Sequence, residues 1–122
     1  MAHYMIEVGY SPQAWSSQLD SQANVIERIT PAVEAVGGKI ESIYYAFGDC
    51  DLVGIIEFKT PEDAAAFALA VTSSGALRSY KTTPLLTVEQ GMESMKRGAK
   101  ARKKYTPPTT VSLVEQKTPA RA

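Results

Sequence analysis

The sequence predicts an α+β domain with the element order β-α-β-β-α-β, followed by one more helix. Three observations carry that prediction. Apolar and polar residues alternate in several short stretches, the period of a strand with one buried face. Between them lie stretches with apolar residues three and four apart, the period of an amphipathic helix. Caps and breakers such as Ser11-Pro12, Gly37-Gly38, Thr60-Pro61 and Gly75 fall at the junctions. With 122 residues, 44% of them hydrophobic, the chain can build one domain around a proper core.

Residues 3–10 place Tyr4, Ile6, Val8 and Tyr10 on one face of a first strand, with Met5, Glu7 and Gly9 on the other. Ser11 is an N-cap and Pro12 suits the first helical position, so residues 12–19 read as a short helical segment. Val25, Ile26, Ile29, Val33 and Val36 then form one apolar helical stripe, with Pro31 as a kink inside it and Gly37-Gly38 as its end. Residues 39–47 and 51–58 are strand-like, and Gly48-Asp49-Cys50-Asp51 supplies turn chemistry for a hairpin between them. Simple alternation puts Ile40, Ser42, Tyr44 and Ala46 on one face of the second strand, and Ile43, Tyr45 and Phe47 on the other.

Thr60 caps a helix over residues 61–73, with Pro61 in its first turn beside Glu62 and Asp63. Its alanines allow close approach to a sheet. Residues 76–86 form a last strand, which Pro84 confines to an edge or a bulge. This order is the split βαβ arrangement of ferredoxin-like domains, with a four-stranded antiparallel sheet. Thr87 and Gln90 have capping-box spacing for a C-terminal helix whose packing stripe is Met92, Met95 and Ala99, ending near Tyr105 before Pro107-Pro108. The domain is expected over residues 1–95, the basic helix end over 96–105 and a mobile tail over 106–122.

The formal net charge is zero, but it is divided unevenly. Residues 1–95 hold five basic and twelve acidic side chains, a balance of −7; residues 96–122 hold eight basic and one acidic, a balance of +7. The longest apolar run, residues 64–71, is far short of the about 20 residues of a membrane span. No secretory signal is visible and a single cysteine makes no internal disulfide, so a cytoplasmic protein is expected. One histidine and one cysteine cannot furnish a four-ligand zinc site, and no phosphate-binding glycine loop is present. No metal and no cofactor is implied.

Five stretches carry a family likeness: His3-Tyr4-Met5-Ile6, Gly37-Gly38-Lys39-Ile40-Glu41, Ala46-Phe47-Gly48-Asp49-Cys50-Asp51, Phe67-Ala68-Leu69-Ala70-Val71 and Lys81-Thr82-Thr83-Pro84-Leu85-Leu86-Thr87. Across roughly residues 2–97 the chain resembles the GYD-domain family of small bacterial and archaeal proteins, near the dimeric α/β-barrel superfamily. Cys50 departs from it, standing where the family typically has tyrosine in Gly-Asp-Tyr-Asp. The resemblance implies a ferredoxin-like fold whose sheets pack face to face in a homodimer or higher oligomer. It brings no settled activity. Apolar residues on both faces of the second strand agree with such an assembly.

The candidate ligand-binding residues are Tyr44, Tyr45, Asp49 and Asp51. Asp49 and Asp51 are two apart in an extended turn and can point the same way, toward a ligand or cation, or can simply shape the turn. Two carboxylates are a thin shell for a metal. Acidic neighbours disfavour the thiolate of Cys50, which reads as structural. Tyr4, Tyr10, Tyr44, Tyr45 and Tyr80 lie on strands, as core, as interface or as the lining of an apolar pocket with hydroxyl handles. Arg78, Lys81, Thr82 and Thr83 are solvent-facing or anion contacts.

Residues 96–104 hold six cations in nine positions, spread around a helix without aromatic interleaving. They suit a solvated helix end better than a nucleic-acid or membrane surface. The reading is a homo-oligomeric small-molecule binding or interaction module, with itself as partner and no catalysis implied. The alternatives are an oxygenase-like or haem-degrading-like enzyme using a pocket between sheet and helices, and nucleic-acid docking through the basic segment.

Overall fold

The computed structural model describes residues 1–108 and contains two compact units, Met1–Leu86 and a second beginning at Thr87. The first unit runs β1 (Ala2–Tyr10), α1 (Pro12–Ser21), α2 (Val25–Ala35), β2 (Lys39–Tyr45), β3 (Leu52–Phe58), α3 (Pro61–Thr72) and β4 (Leu77–Leu85). All pairings are antiparallel, in the order β2-β3-β1-β4. This is the ferredoxin-like α+β fold. The two central strands are the ones whose alternation is cleanest. β4 is an edge, which is where Pro84 costs no ladder bond.

Each helix starts where a side-chain oxygen satisfies free backbone donors. Ser11 Oγ accepts from Ala14 N at 3.1 Å, and Asn24 Oδ1 accepts from Ile26 N and Glu27 N at 2.9 and 3.2 Å. Thr60 Oγ1 accepts from Asp63 N at 3.2 Å. Pro31 lies inside α2, as the sequence indicates. The helices cover one face of the sheet. Tyr4, Ile6, Val8 and Tyr10 of β1 and Leu52, Ile56 and Phe58 of β3 are buried there with Val25 and Val33 of α2 and Ala64 and Phe67 of α3. Phe58 and Val33 are wholly enclosed, and burial of such a side chain stabilises by about 1.5–3 kcal/mol.

One facial assignment is corrected. The β2–β3 register shifts between Ile40 and Ser42, so Ile40 opposes Ile56 on the helix face together with Ile43, while Ser42 opposes Ile55 on the second face. Glu41 is the extra residue of a bulge, and a bulge breaks the period of two. Strand β2 also ends at Tyr45; Phe47, expected within it, stands in the turn 99% exposed.

Within the first unit the second face carries no helix. Its register places Val53 beside Tyr44 and Glu7, Ile55 beside Ser42 and Met5, and Glu57 beside Lys39 and His3. Glu7 in turn opposes Lys81 of β4. The face therefore has an apolar centre, Met5, Val53 and Ile55, between rows bearing opposed charges.

The second unit contains α4 (Val88–Arg102), begun by a complete capping box between Thr87 and Gln90. Arg97 pairs with Glu93 at 3.2 Å, and Lys100 and Arg102 occupy the last turn, where the helix dipole favours cations. The expected packing stripe is not buried: Met92 and Met95 are 53% and 68% exposed. No helix among the described residues is long and apolar enough to cross a membrane. The tail expected over residues 106–122 lies mostly outside the described residues.

Candidate functional site

A cavity of about 60 Å³ lies between the sheet and the helices, lined mainly by apolar side chains such as Ile6, Val8, Ile43 and Phe67. Gly54 in the middle of β3 helps to leave it open, since a Cβ there would lie 3.1 Å from Ile43 Cγ1. Three side chains with polar groups are in the lining, Tyr10, Tyr80 and Arg28.

Tyr80 is on β4 opposite Val8, facing the helices. Its hydroxyl is buried and makes no hydrogen bond of good geometry; the Thr82 side chain on the same strand face is its one polar influence. Burial pushes the phenol up to about 12, because the anion is poorly solvated there. A buried polar atom left alone in a native fold is unusual. Arg28, in the first turns of α2, stands where the cavity meets a groove of about 250 Å³ bordered by Ser17, Gln18 and Ser21; Tyr10 and Arg28 line both spaces. Arg28 Nη2 donates to Tyr10 Oη and to Gln18 Oε1, each at 3.3 Å, and its guanidinium lies 5.9 Å from the Tyr10 ring centre.

The four residues singled out from the sequence lie elsewhere and do not form one cluster. Asp51 turns inward: its Oδ2 accepts from Tyr10 N at 2.8 Å, Trp15 Nε1 at 3.2 Å and Arg78 Nη2 at 3.3 Å. The Tyr10 backbone bond is the main influence holding its carboxyl below the ordinary range, aided by Trp15 and Arg78. Asp49 is exposed and meets Arg78 only through its backbone carbonyl, at 3.5 Å. Tyr45, 48% exposed, lies on the helix face beside Trp15 with ring centres 6.5 Å apart. Tyr44, 68% exposed, lies on the second face.

Trp15 itself packs edge-on against Tyr10 at 5.3 Å, joining Asp51 to the aromatic rim of the cavity. Arg78 reaches Asp51 across Gly9, where a Cβ would lie 2.7 Å from its Cζ. Sequence reading includes Tyr10 and Tyr80 among possible pocket tyrosines but does not single out Arg28, Trp15 or Gly54. A glycine inside a strand pattern is the one signal that points toward the cavity.

The fold is similar to that of MtbAldR, with 19% identity, 70% of this chain and 52% of that chain covered, and a TM-score of 0.54. This chain thus spans about half the length of MtbAldR. It is also similar to 5-chloro-2-hydroxyhydroquinone dehydrochlorinase (TftG) from Burkholderia phenoliruptrix AC1100, crystallised with 2,5-dihydroxybenzoquinone. There the identity is 14%, the coverage 71% of this chain and 96% of that chain, and the TM-score 0.52. At such identities the likeness is one of fold. No curated protein matches the sequence at a significant level. The GYD domain, by contrast, matches residues 4–95, most of the chain, and on that match the chain belongs to the GYD domain family.

Proposed function

We propose that this chain is a homo-oligomeric small-molecule-binding module whose ligand seat is the cavity between the sheet and the helices. One observation supports the reading: the hydroxyl of Tyr80 is buried in a mainly apolar lining without a hydrogen bond of good geometry. An unmet hydrogen bond in a dry site costs stability, and a bound ligand with an acceptor atom recovers it. The lining holds two phenols and a guanidinium, with no histidine, carboxylate or thiol. His3, the one histidine, lies on the second face 3.4 Å from Glu41, and Cys50 lies in the β2–β3 connection. That set favours binding over proton-transfer catalysis.

In this reading Asp51 is a positioning residue, holding Tyr10 and Trp15 at the cavity rim. Tyr44 belongs to the oligomer interface, made by the apolar centre of the second face. Tyr45 packs beside Trp15 on the hairpin side, and Asp49 lies outside the seat.

Native mass spectrometry of protein purified without added ligand tests the proposal. The expected result is an oligomer carrying a retained small molecule that is depleted in Tyr80→Phe. A bare protein, whose Trp15 fluorescence is also unmoved by cell-extract metabolites, would remove the small-molecule reading.

A further inference from the structure

The cavity lining offers unlike polar groups. Tyr80 belongs to the cavity alone, whereas Arg28 and Tyr10 border both the cavity and the outer groove. Arg28 pairs with no carboxylate among the described residues; its two acceptors, Tyr10 Oη and Gln18 Oε1, are neutral and lie at 3.3 Å. A guanidinium has five donors in a planar fork that fits a carboxylate with two parallel bonds, so most of its capacity is free here. It is held in place by the Tyr10 ring and by Gln18.

The space that these groups line is small. About 60 Å³ is room for a short stretch of chain. Its walls are aliphatic and aromatic, so that stretch is hydrocarbon.

Resting on the cavity reading above, we propose that the ligand is a short-chain carboxylate bearing a second oxygen, an oxo- or hydroxy-acid. Its carboxylate is held by Arg28 at the groove, its few carbons fill the cavity, and its second oxygen accepts from Tyr80 Oη. Tyr80 donates because its phenol stays neutral, and Arg28 selects charge because nothing nearby neutralises it.

The test uses 4-oxopentanoate, its amide 4-oxopentanamide and plain pentanoate, titrated into the full-length protein with methyl NMR of Ile6 and Ile43. 4-Oxopentanoate is expected to shift both methyls. The amide should bind about tenfold more weakly, the margin by which a charged hydrogen bond exceeds a neutral one. Pentanoate should lose a similar factor. Arg28→Gln is expected to erase the preference for acid over amide, Arg28→Lys to keep part of it, and Tyr80→Phe to erase the preference for the oxo-acid over pentanoate. An unchanged Trp15 emission spectrum verifies that each variant is folded.

Equal affinity for acid and amide in the parent protein overturns the anion assignment and leaves the cavity reading standing. Equal affinity for oxo-acid and pentanoate overturns the role of Tyr80. Failure of every probe to shift the cavity methyls overturns the short-chain acid assignment, and the cavity reading falls with it only if native mass spectrometry also finds a bare protein.

Discussion

The Oδ2 oxygen of Asp51 accepts the backbone N–H of Tyr10 at 2.8 Å, across 41 positions of sequence. The same oxygen takes the indole N–H of Trp15 and a guanidinium N–H of Arg78, and the Asp51 N–H donates to Val8 O at 2.7 Å. One carboxylate thus joins the end of β1, helix α1, the hairpin and β4. The β1–β4 register shift next to Tyr10 and the open space over Gly9 are what bring Arg78 within reach.

Asp51→Asn is expected to lower the unfolding midpoint at neutral pH and to red-shift Trp15 emission, since a neutral amide accepts these donors more weakly. The sign with pH follows from the lowered carboxyl: its stabilisation is present above the ordinary value of 3.8 and is lost as pH falls through the lower folded value. The parent and variant should therefore differ at neutral pH and converge in the acid range. Parallel curves at all pH values would show that the ionised carboxylate contributes nothing.

The legible part of the fold is the part that obeys a strict period. Tyr4, Ile6, Val8 and Tyr10 alternate without interruption and are all buried, and three of the caps, Ser11, Thr60 and Thr87, are read directly from residue type, while Asn24 at the start of α2 is not. Ile40 was misassigned because a bulge at Glu41 inserts one residue, and period-two reading has no way to register an insertion. The site was less visible. Asp51 carries turn-like local context, and only the tertiary approach of Tyr10, Trp15 and Arg78 turns it inward. Arg28 sits on the polar side of an amphipathic pattern, where its place at a cavity mouth leaves no local trace.

Tyr80→Phe is expected to stabilise the ligand-free protein by about 1 kcal/mol, because it removes a buried hydroxyl that makes no well-formed hydrogen bond. It should weaken ligand binding at the same time, the opposition expected of a residue kept for function. Burial raises the phenol from 10 to about 12, so the neutral form is favoured in the fold. That contribution is complete below pH 10 and is lost as pH rises toward 12. Urea denaturation across this range should show a loss in the parent that the variant lacks. In absorbance titration of the six tyrosines, the last to ionise should disappear in the variant. A variant less stable than its parent at neutral pH would mean that the hydroxyl has a partner.

Gly38→Ala is expected to destabilise by about 1–3 kcal/mol, a fall in Tm on the order of 10 °C. The new Cβ would lie 2.7 Å from Phe58 Cε1 and 3.0 Å from Val33 Cγ1. Both neighbours are wholly buried, so neither can swing into solvent to make room. Gly48→Ala is the control, since no atom lies within 4 Å of its added carbon. Calorimetry showing equal losses for the two substitutions would place the effect in backbone entropy instead of packing.

If copies of the chain associate through the second sheet face, as proposed, Ile55→Glu is expected to separate them into monomers. Ile55 opposes Met5 and Ser42 at the apolar centre of the second sheet face, with charged rows beyond it on either side. An apolar centre inside a polar rim is the anatomy of an interface. If two copies pack through it, a carboxylate there is desolvated without a cation close by and sits near its own symmetry copy. Like charges so placed raise the dissociation constant by about a hundredfold or more. The fold should survive, because Ile55 faces away from the core formed by Ile56 and Phe58. Light scattering reads the outcome directly: halved mass with an unchanged Trp15 spectrum supports the interface. A parent protein that is already monomeric at high concentration removes it, and the half-exposed apolar centre must then serve another partner.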